Sequence, residues 1–141
     1  MSVTGIICEY DPLHTGHAWL MAQARAAGVC LRLCSQGVNH EHFYGDPLRI
    51  NQVLINLLSN AVKFTPEGGL VECLAQELGP GRTAGHARYR FTVRDTGVGM
   101  TETFLEHIFE PFIRSSNISR VEGTGLGLSI VKGLVDLMDG E

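Results

Sequence analysis

The stretch that most constrains this chain is Asn51 to Thr65, NQVLINLLSNAVKFT. Val53, Leu54, Leu57, Leu58, Ala61 and Val62 recur at helical spacing, which predicts an amphipathic helix. Its other stripe is Gln52, Asn56, Asn60 and Lys63. Asn56 and Asn60 are four apart, so they lie one turn apart on one face. A solvated stripe would carry Glu and Lys, because asparagine is a mediocre helix former whose amide competes for backbone hydrogen bonds. Two amides ending on a lysine fit a face aimed at a polar ligand, such as a metal ion and its phosphates. They fit equally a half-buried helix with satisfied amides. Asp46 can N-cap this helix, Pro47 suits its first position and Pro66 stops it, so the expected span is 47–64.

Around this helix the pattern alternates. Residues 3–7, VTGII, read as a short buried strand leading into a turn-rich loop, CEYDPLHTGH. His17 to Ala27 reads as a helix stopped by Gly28, and Val29 to Cys34 as a strand. Ser35 to Tyr44 is a polar loop. Leu70 to Leu78 and Ala87 to Asp95 read as two strands joined by GPGRTAGH. In the second, Tyr89, Phe91 and Val93 face one way and Arg88, Arg90, Thr92 and Arg94 the other, the alternation of an antiparallel strand with one solvated face. A short helix is expected over 101–108, and a final helix from Leu126 with Leu128, Ile130, Val131, Leu134, Val135, Leu137 and Met138 apolar.

With 141 residues there is length for one domain with a core. The formal charge of -4, with no basic patch, makes nucleic acid no obvious partner. No apolar run approaches membrane-spanning length and no signal peptide is visible, so a cytoplasmic segment without membrane contact is expected. Cys8, Cys30, Cys34 and Cys73 match neither a zinc knuckle nor a CxxC pair, which suggests reduced thiols.

Two further signals follow the asparagine helix. Asp95-Thr96-Gly97-Val98-Gly99 puts an aspartate at a strand end ahead of two spaced glycines. Its carboxylate can accept a hydrogen bond from an exocyclic amine such as the N6 of adenine, and the glycines let backbone approach a ring. By itself DxGxG also makes an ordinary turn. Gly123-Thr124-Gly125-Leu126-Gly127-Leu128 then opens a helix, where backbone N–H groups and the helix dipole favour phosphate. It lacks the GK[ST] of a P-loop and the strand and acidic residue of a dinucleotide fingerprint.

Taken together, residues from about 44 to 141 resemble the ATP-binding catalytic domain of sensor histidine kinases, in the GHKL superfamily shared with gyrase, mismatch-repair and heat-shock chaperone ATPases. NLLSNAVKFT matches the N box, DTGVGM the G1 box, FEPF the F box and GTGLGL the G2 box. The resemblance implies an α+β fold of the Bergerat type, a two-layer α/β sandwich with helices on one face of a mixed sheet. ATP would lie among the helices under a lid, Ile113 to Glu122. Asn60 would coordinate Mg2+, Asn56 would support the phosphate region and Lys63 would meet phosphate oxygens. Asp95 would read the adenine amine, with Gly97 and Gly99 admitting the base. Phe109 and Phe112 would anchor the lid, whose Arg114 and Arg120 either reach the γ-phosphate or stay solvated. Gly123, Thr124, Gly125, Leu126, Gly127 and Leu128 would cradle the phosphates. Asn56, Lys63 and Arg114 form the expected catalytic set. Hydrolysing branches of the superfamily carry a glutamate where this chain has Asn56. An amide takes no proton at neutral pH, so the site should hold ATP for transfer to a histidine rather than to water.

The family's phosphoacceptor context is not found: His40-Glu41-His42 sits in a polar loop. Partners are therefore expected, namely a phosphoacceptor histidine (dimerisation) domain and a downstream response regulator. The family pattern also runs on past Glu141 with two more strands. A truncated sheet would expose an edge, with Leu134 and Leu137 uncovered, through which two copies could dimerise. Residues 3–27 resemble instead the opening of the tRNA(Met) cytidine acetate ligase family, an HxGH nucleotidyltransferase in which His14 and His17 would contact nucleotide phosphates; Ser115-Ser116 with Arg120 loosely echoes its second motif. The expected division is thus an N-terminal segment, 1–28, and a kinase-like ATP-binding domain, 29–141. The alternatives are a nucleotidyltransferase fragment using the HTGH loop and a truncated, non-catalytic nucleotide-binding module.

Overall fold

The computed structural model describes residues 15–39, 45–113 and 124–141; of residues 15–17 it describes the backbone alone. The expected strand over 3–7, His14, the His40-Glu41-His42 loop, and Arg114, Ser115, Ser116, Arg120 and Gly123 lie outside the described residues.

The order is α1 (Thr15–Ala26), β1 (Cys30–Gln36), α2 (Pro47–Phe64), β2 (Leu70–Pro80), β3 (Ala87–Asp95), α3 (Glu102–Leu105) and α4 (Gly127–Leu137). The strands form one mixed sheet in the order β1-β2-β3, with β1 parallel and β3 antiparallel to β2. Helices cover one face. Leu20 and Ala24 of α1, Val29, Leu58, Ala61 and Val62 of α2, and Val71 and Cys73 of β2 form a single core. α1 therefore packs into the same body as the asparagine helix. The core seals Cys73, and burial, helped by the nearby Cys34, pushes its thiol pKa up.

The ends of α2 follow from its sequence. The Asp46 carboxylate accepts the Arg49 N–H at 3.1 Å, a side-chain N-cap, and Pro47 opens the helix where no N–H is needed. At the other end the Thr65 hydroxyl donates to the Ala61 carbonyl at 2.6 Å. α1 closes on Gly28, which takes a left-handed φ of 63° while Val29 N–H returns to the Ala24 carbonyl at 2.9 Å. The Gly28 carbonyl then accepts from Gly68 N–H at 2.9 Å, tying the α1–β1 turn to the α2–β2 turn.

Several boundaries differ from the sequence reading. β1 begins at Cys30 and runs to Gln36, two residues into the expected loop, because the parallel ladder with β2 extends to Gln36 opposite Gln76. β2 reaches Pro80, past a bulge between Glu77 and Gly79. The helix expected over 101–108 has only Glu102–Leu105 as α-helix, capped by the Thr101 hydroxyl. Beyond it His107 N–H meets the Phe104 carbonyl and Ile108 N–H the Leu105 carbonyl, three-residue turns that tighten the chain out of the α path. On β3, Val93 packs against the core as its alternation requires, but Phe91 is 38% exposed. On α4, Val131 is buried, Leu134 is half-buried and Leu137 is 69% exposed.

Candidate functional site

A cavity of about 510 Å³ opens between α2, the end of β3, the segment after it and the start of α4. α2 contributes Asn56, Asn60 and Lys63, β3 contributes Asp95, the following turn Gly99, and the entry to α4 Thr124, Gly125, Leu126, Gly127 and Leu128. The three sequence signals, which lie some seventy residues apart at their extremes, thus line one space.

Asn56 owes its orientation to a local contact. Asn56 Nδ2 donates to the Gln52 carbonyl one turn back at 2.9 Å, which leaves Oδ1 pointing away from its own helix. That oxygen faces Gly127. A Cβ on Gly127 would stand 3.4 Å from Asn56 Oδ1 and 3.6 Å from Asn60 Nδ2, so the glycine keeps both amides and the α4 N-terminus in one open space. α4 has no side-chain N-cap: Leu126 occupies the capping position and Ser129 Oγ turns back to donate to the Leu126 carbonyl at 2.9 Å. Its leading N–H groups therefore remain available to an acceptor from the cavity. The Lys63 ammonium sits 5.4 Å from the centre of the Phe64 ring, a cation–π contact at the cavity edge.

The Asp95 turn is fixed to the C-terminal end of α2. Gly97 N–H donates to Asp95 Oδ1 at 2.9 Å, and Val98 N–H to the Phe64 carbonyl at 3.3 Å. Thr96 anchors the same turn to β2 twice, through its own N–H to the Leu70 carbonyl at 3.0 Å and through Oγ1, which accepts the Leu70 N–H at 2.9 Å. Among the described lining residues only Asp95 and Lys63 carry formal charge.

Gly97 itself does not line the cavity; it is where the turn comes closest to α2. Phe109 and Phe112 also stand outside the lining, 50% and 73% exposed. Phe112 has a left-handed φ of 65°, and its N–H donates to the Gly125 carbonyl at 3.0 Å, which joins the F box to the glycine stretch before α4. Gly125, at φ 71°, packs so tightly there that a Cβ would fall 2.9 Å from the Ile113 carbonyl oxygen.

Sequence reasoning missed the apolar wall: Leu57 and Phe64 of α2, Val93, and Met100, Phe104, Ile108, Ile113 and Ile130. One signal was present, because Val93 lies two residues before Asp95 on the same strand face. Leu57 and Ile130 read only as apolar positions of their helices, Phe64 closes α2, and Met100, Phe104, Ile108 and Ile113 come from short segments that carry no period. No group of three or more His, Cys, Asp or Glu side chains capable of holding a metal occurs among the described residues. No helix there is long and apolar enough to cross a membrane.

The sequence model of the histidine kinase-, DNA gyrase B- and HSP90-like ATPase family matches residues 45–141. The autoinducer 2 sensor kinase/phosphatase LuxQ of Vibrio vulnificus is 39% identical over 134 residues, an alignment covering 94% of this chain and 15% of LuxQ. The chain thus spans a small part of the curated relatives that it matches. Among solved structures, the nucleotide-free catalytic domain of the histidine kinase ThkA aligns with a TM-score of 0.67 and 26% identity, over 88% of this chain and 74% of that one. Full-length ShkA in complex with AMPPNP aligns with a TM-score of 0.68 and 31% identity, over 90% of this chain and 24% of that one.

Proposed function

The chain belongs to the histidine kinase-, DNA gyrase B- and HSP90-like ATPase family, and on that premise we propose that its cavity holds magnesium-bound ATP and presents the γ-phosphoryl to a histidine on another segment or chain. The observation carrying this reading is the meeting of Asn56, Asn60, Lys63, Asp95 and the α4 N-terminus around one cavity. In this reading residues 29–141 form the ATP-binding domain, with α1 packed on it.

Each residue has a role its chemistry suits. The Asp95 carboxylate, one oxygen held by Gly97 N–H, accepts the adenine amine with the other. Gly99 admits the base beside Met100, and the apolar wall covers the ring faces. The uncapped N–H groups of α4, behind Thr124, Gly125 and Leu126, receive phosphate oxygens, and Lys63 adds a cation. Gly123 and Arg114, outside the described residues, would add to the cradle and the cationic lid, and Phe109 and Phe112 would form the lid's base.

The donor set fits magnesium. The Asn60 amide oxygen and, behind it, Asn56 Oδ1 are hard neutral oxygens, the type that shares Mg2+ with phosphates and water. Asn60 would hold the ion, which would supply charge neutralisation on the phosphates. Asn56 takes no proton, so water at this position gains no general base, and the phosphoryl group is kept for an acceptor brought by a partner. That partner is a phosphoacceptor histidine domain, which in turn serves a response regulator; the setting is cytoplasmic, where ATP is available.

A thermal unfolding titration tests the reading. Mg-ATP at a hundred times its dissociation constant adds about 2.7 kcal/mol of apparent stability. A rise in Tm with Mg-ATP that is lost with EDTA supports the proposal, and an unchanged Tm at millimolar Mg-ATP contradicts it.

A further inference from the structure

Among the described residues, the helices leave one face of the sheet open, and its charge is unlike that of the chain. On β2, Val71 and Cys73 are buried in the core while Leu70, Glu72 and Leu74, on the other face, are half-buried. Register with β2 sets Arg94 beside Glu72, Thr92 beside Leu74 and Arg90 beside Gln76, all on the open face, with Arg88 two residues further along. Arg32 of β1 also faces Glu72, Nη1 to Oε1 at 3.3 Å. Arg88, Arg90 and Arg94 are exposed, and among the described residues none has an ion pair. A chain of formal charge -4, with no basic patch expected from its sequence, thus carries, among the described residues, four arginines against one glutamate on this face, because strand pairing gathers residues that are scattered in sequence.

A face shaped only for solvent mixes both signs. Like charges aligned on one strand face repel each other, which works against the fold unless something neutralises them. The leucines beside them add apolar surface that a phosphate backbone would leave unused. Arg90 and Arg94, like Leu70 and Leu74, are four residues apart, about 13 Å along a strand. That is roughly two and a half turns of α-helix, so carboxylates two turns apart on one helical face reach both arginines.

We propose that the open face of the β1-β2-β3 sheet docks an acidic amphipathic helix of a partner protein, its carboxylates on Arg90 and Arg94 and its apolar stripe on Leu70 and Leu74. The surface lies across the sheet from the nucleotide cavity and does not depend on that cavity's occupant.

The test is fluorescence anisotropy with a labelled synthetic helix bearing leucines on one face and glutamates beside them, titrated with the full chain. Controls are the same peptide with serine for leucine, a single-stranded oligonucleotide, and the variants Arg90→Glu/Arg94→Glu and Arg90→Gln/Arg94→Gln. The leucine–glutamate peptide is expected to bind the wild type, at least tenfold more weakly to the reversed variant and with intermediate affinity to the neutral one. The Mg-ATP thermal shift should be the same in all three proteins. The proposal is overturned if the peptide fails to bind or binds the variants equally. It is likewise overturned if the serine peptide or the oligonucleotide binds as tightly, or if the face proves to join copies of this chain, seen as self-association lost in the reversed variant.

Discussion

The Cα of Gly97 lies against the carbonyl of Phe64 so closely that a Cβ would come within 2.5 Å of that oxygen and 2.7 Å of Asp95 Oδ1. Both neighbours are fixed: one is backbone at the end of α2 and the other is the carboxylate that Gly97 N–H holds. The turn that carries the acid is thereby pressed onto the helix that carries the asparagines.

Gly97→Ala must push that turn off α2 and move Asp95 with it. Mg-ATP affinity should fall by tenfold or more, equivalent to about 1.4 kcal/mol. Gly99→Ala is a contrast, since nothing lies near its missing Cβ and only its left-handed φ of 72° resists a side chain. It should cost about 1–2 kcal/mol of stability with a smaller loss of affinity. Calorimetric titration and denaturant unfolding of both variants check the order.

Gly127→Ala separates stability from binding. Its Cβ has room, 3.4 Å from Asn56 Oδ1, and replacing glycine in a helix gains about 0.5–1 kcal/mol. That Cβ also enters the space between the two amides and the phosphate cradle. The variant should unfold at equal or higher denaturant yet bind Mg-ATP more weakly; unchanged affinity would place the phosphates elsewhere.

His107 offers a pH test beside the cavity. Its Nδ1 lies 2.7 Å from Glu110 Oε1, and that hydrogen bond holds the imidazole pKa above its ordinary 6.5. A raised folded-state pKa contributes stability that is present in full below the unfolded value and fades as pH climbs through the folded one. The pair is more than half exposed, so the contribution is small and salt-sensitive. An NMR titration of His107 should give a midpoint above 6.5 that drops in Glu110→Gln.

How far the sequence reaches depends on the kind of order involved. α2 was legible to the residue, because its apolar period, Asp46 cap and Pro66 stop all act locally. β3 was equally so, its alternation being set by one covered face. The ends of β1 and β2 were not, since pairing with a distant strand decides how far each continues. In the site, the polar members carried recognisable types at recognisable spacing. The apolar wall did not, because Met100, Phe104 and Ile108 look like any turn residues until the fold brings them opposite α2. Gly97 was marked as a glycine that admits a base; the fold uses its missing side chain against the Phe64 carbonyl.

The central claim is that one cavity reads adenine through Asp95 and holds magnesium and phosphates through Asn60. Isothermal titration of Mg-ATP into the wild type, Asp95→Asn and Asn60→Asp tests it most directly. Binding by the wild type, lost in both variants while their folds persist by circular dichroism, is the predicted result. Undiminished binding in either variant contradicts the account.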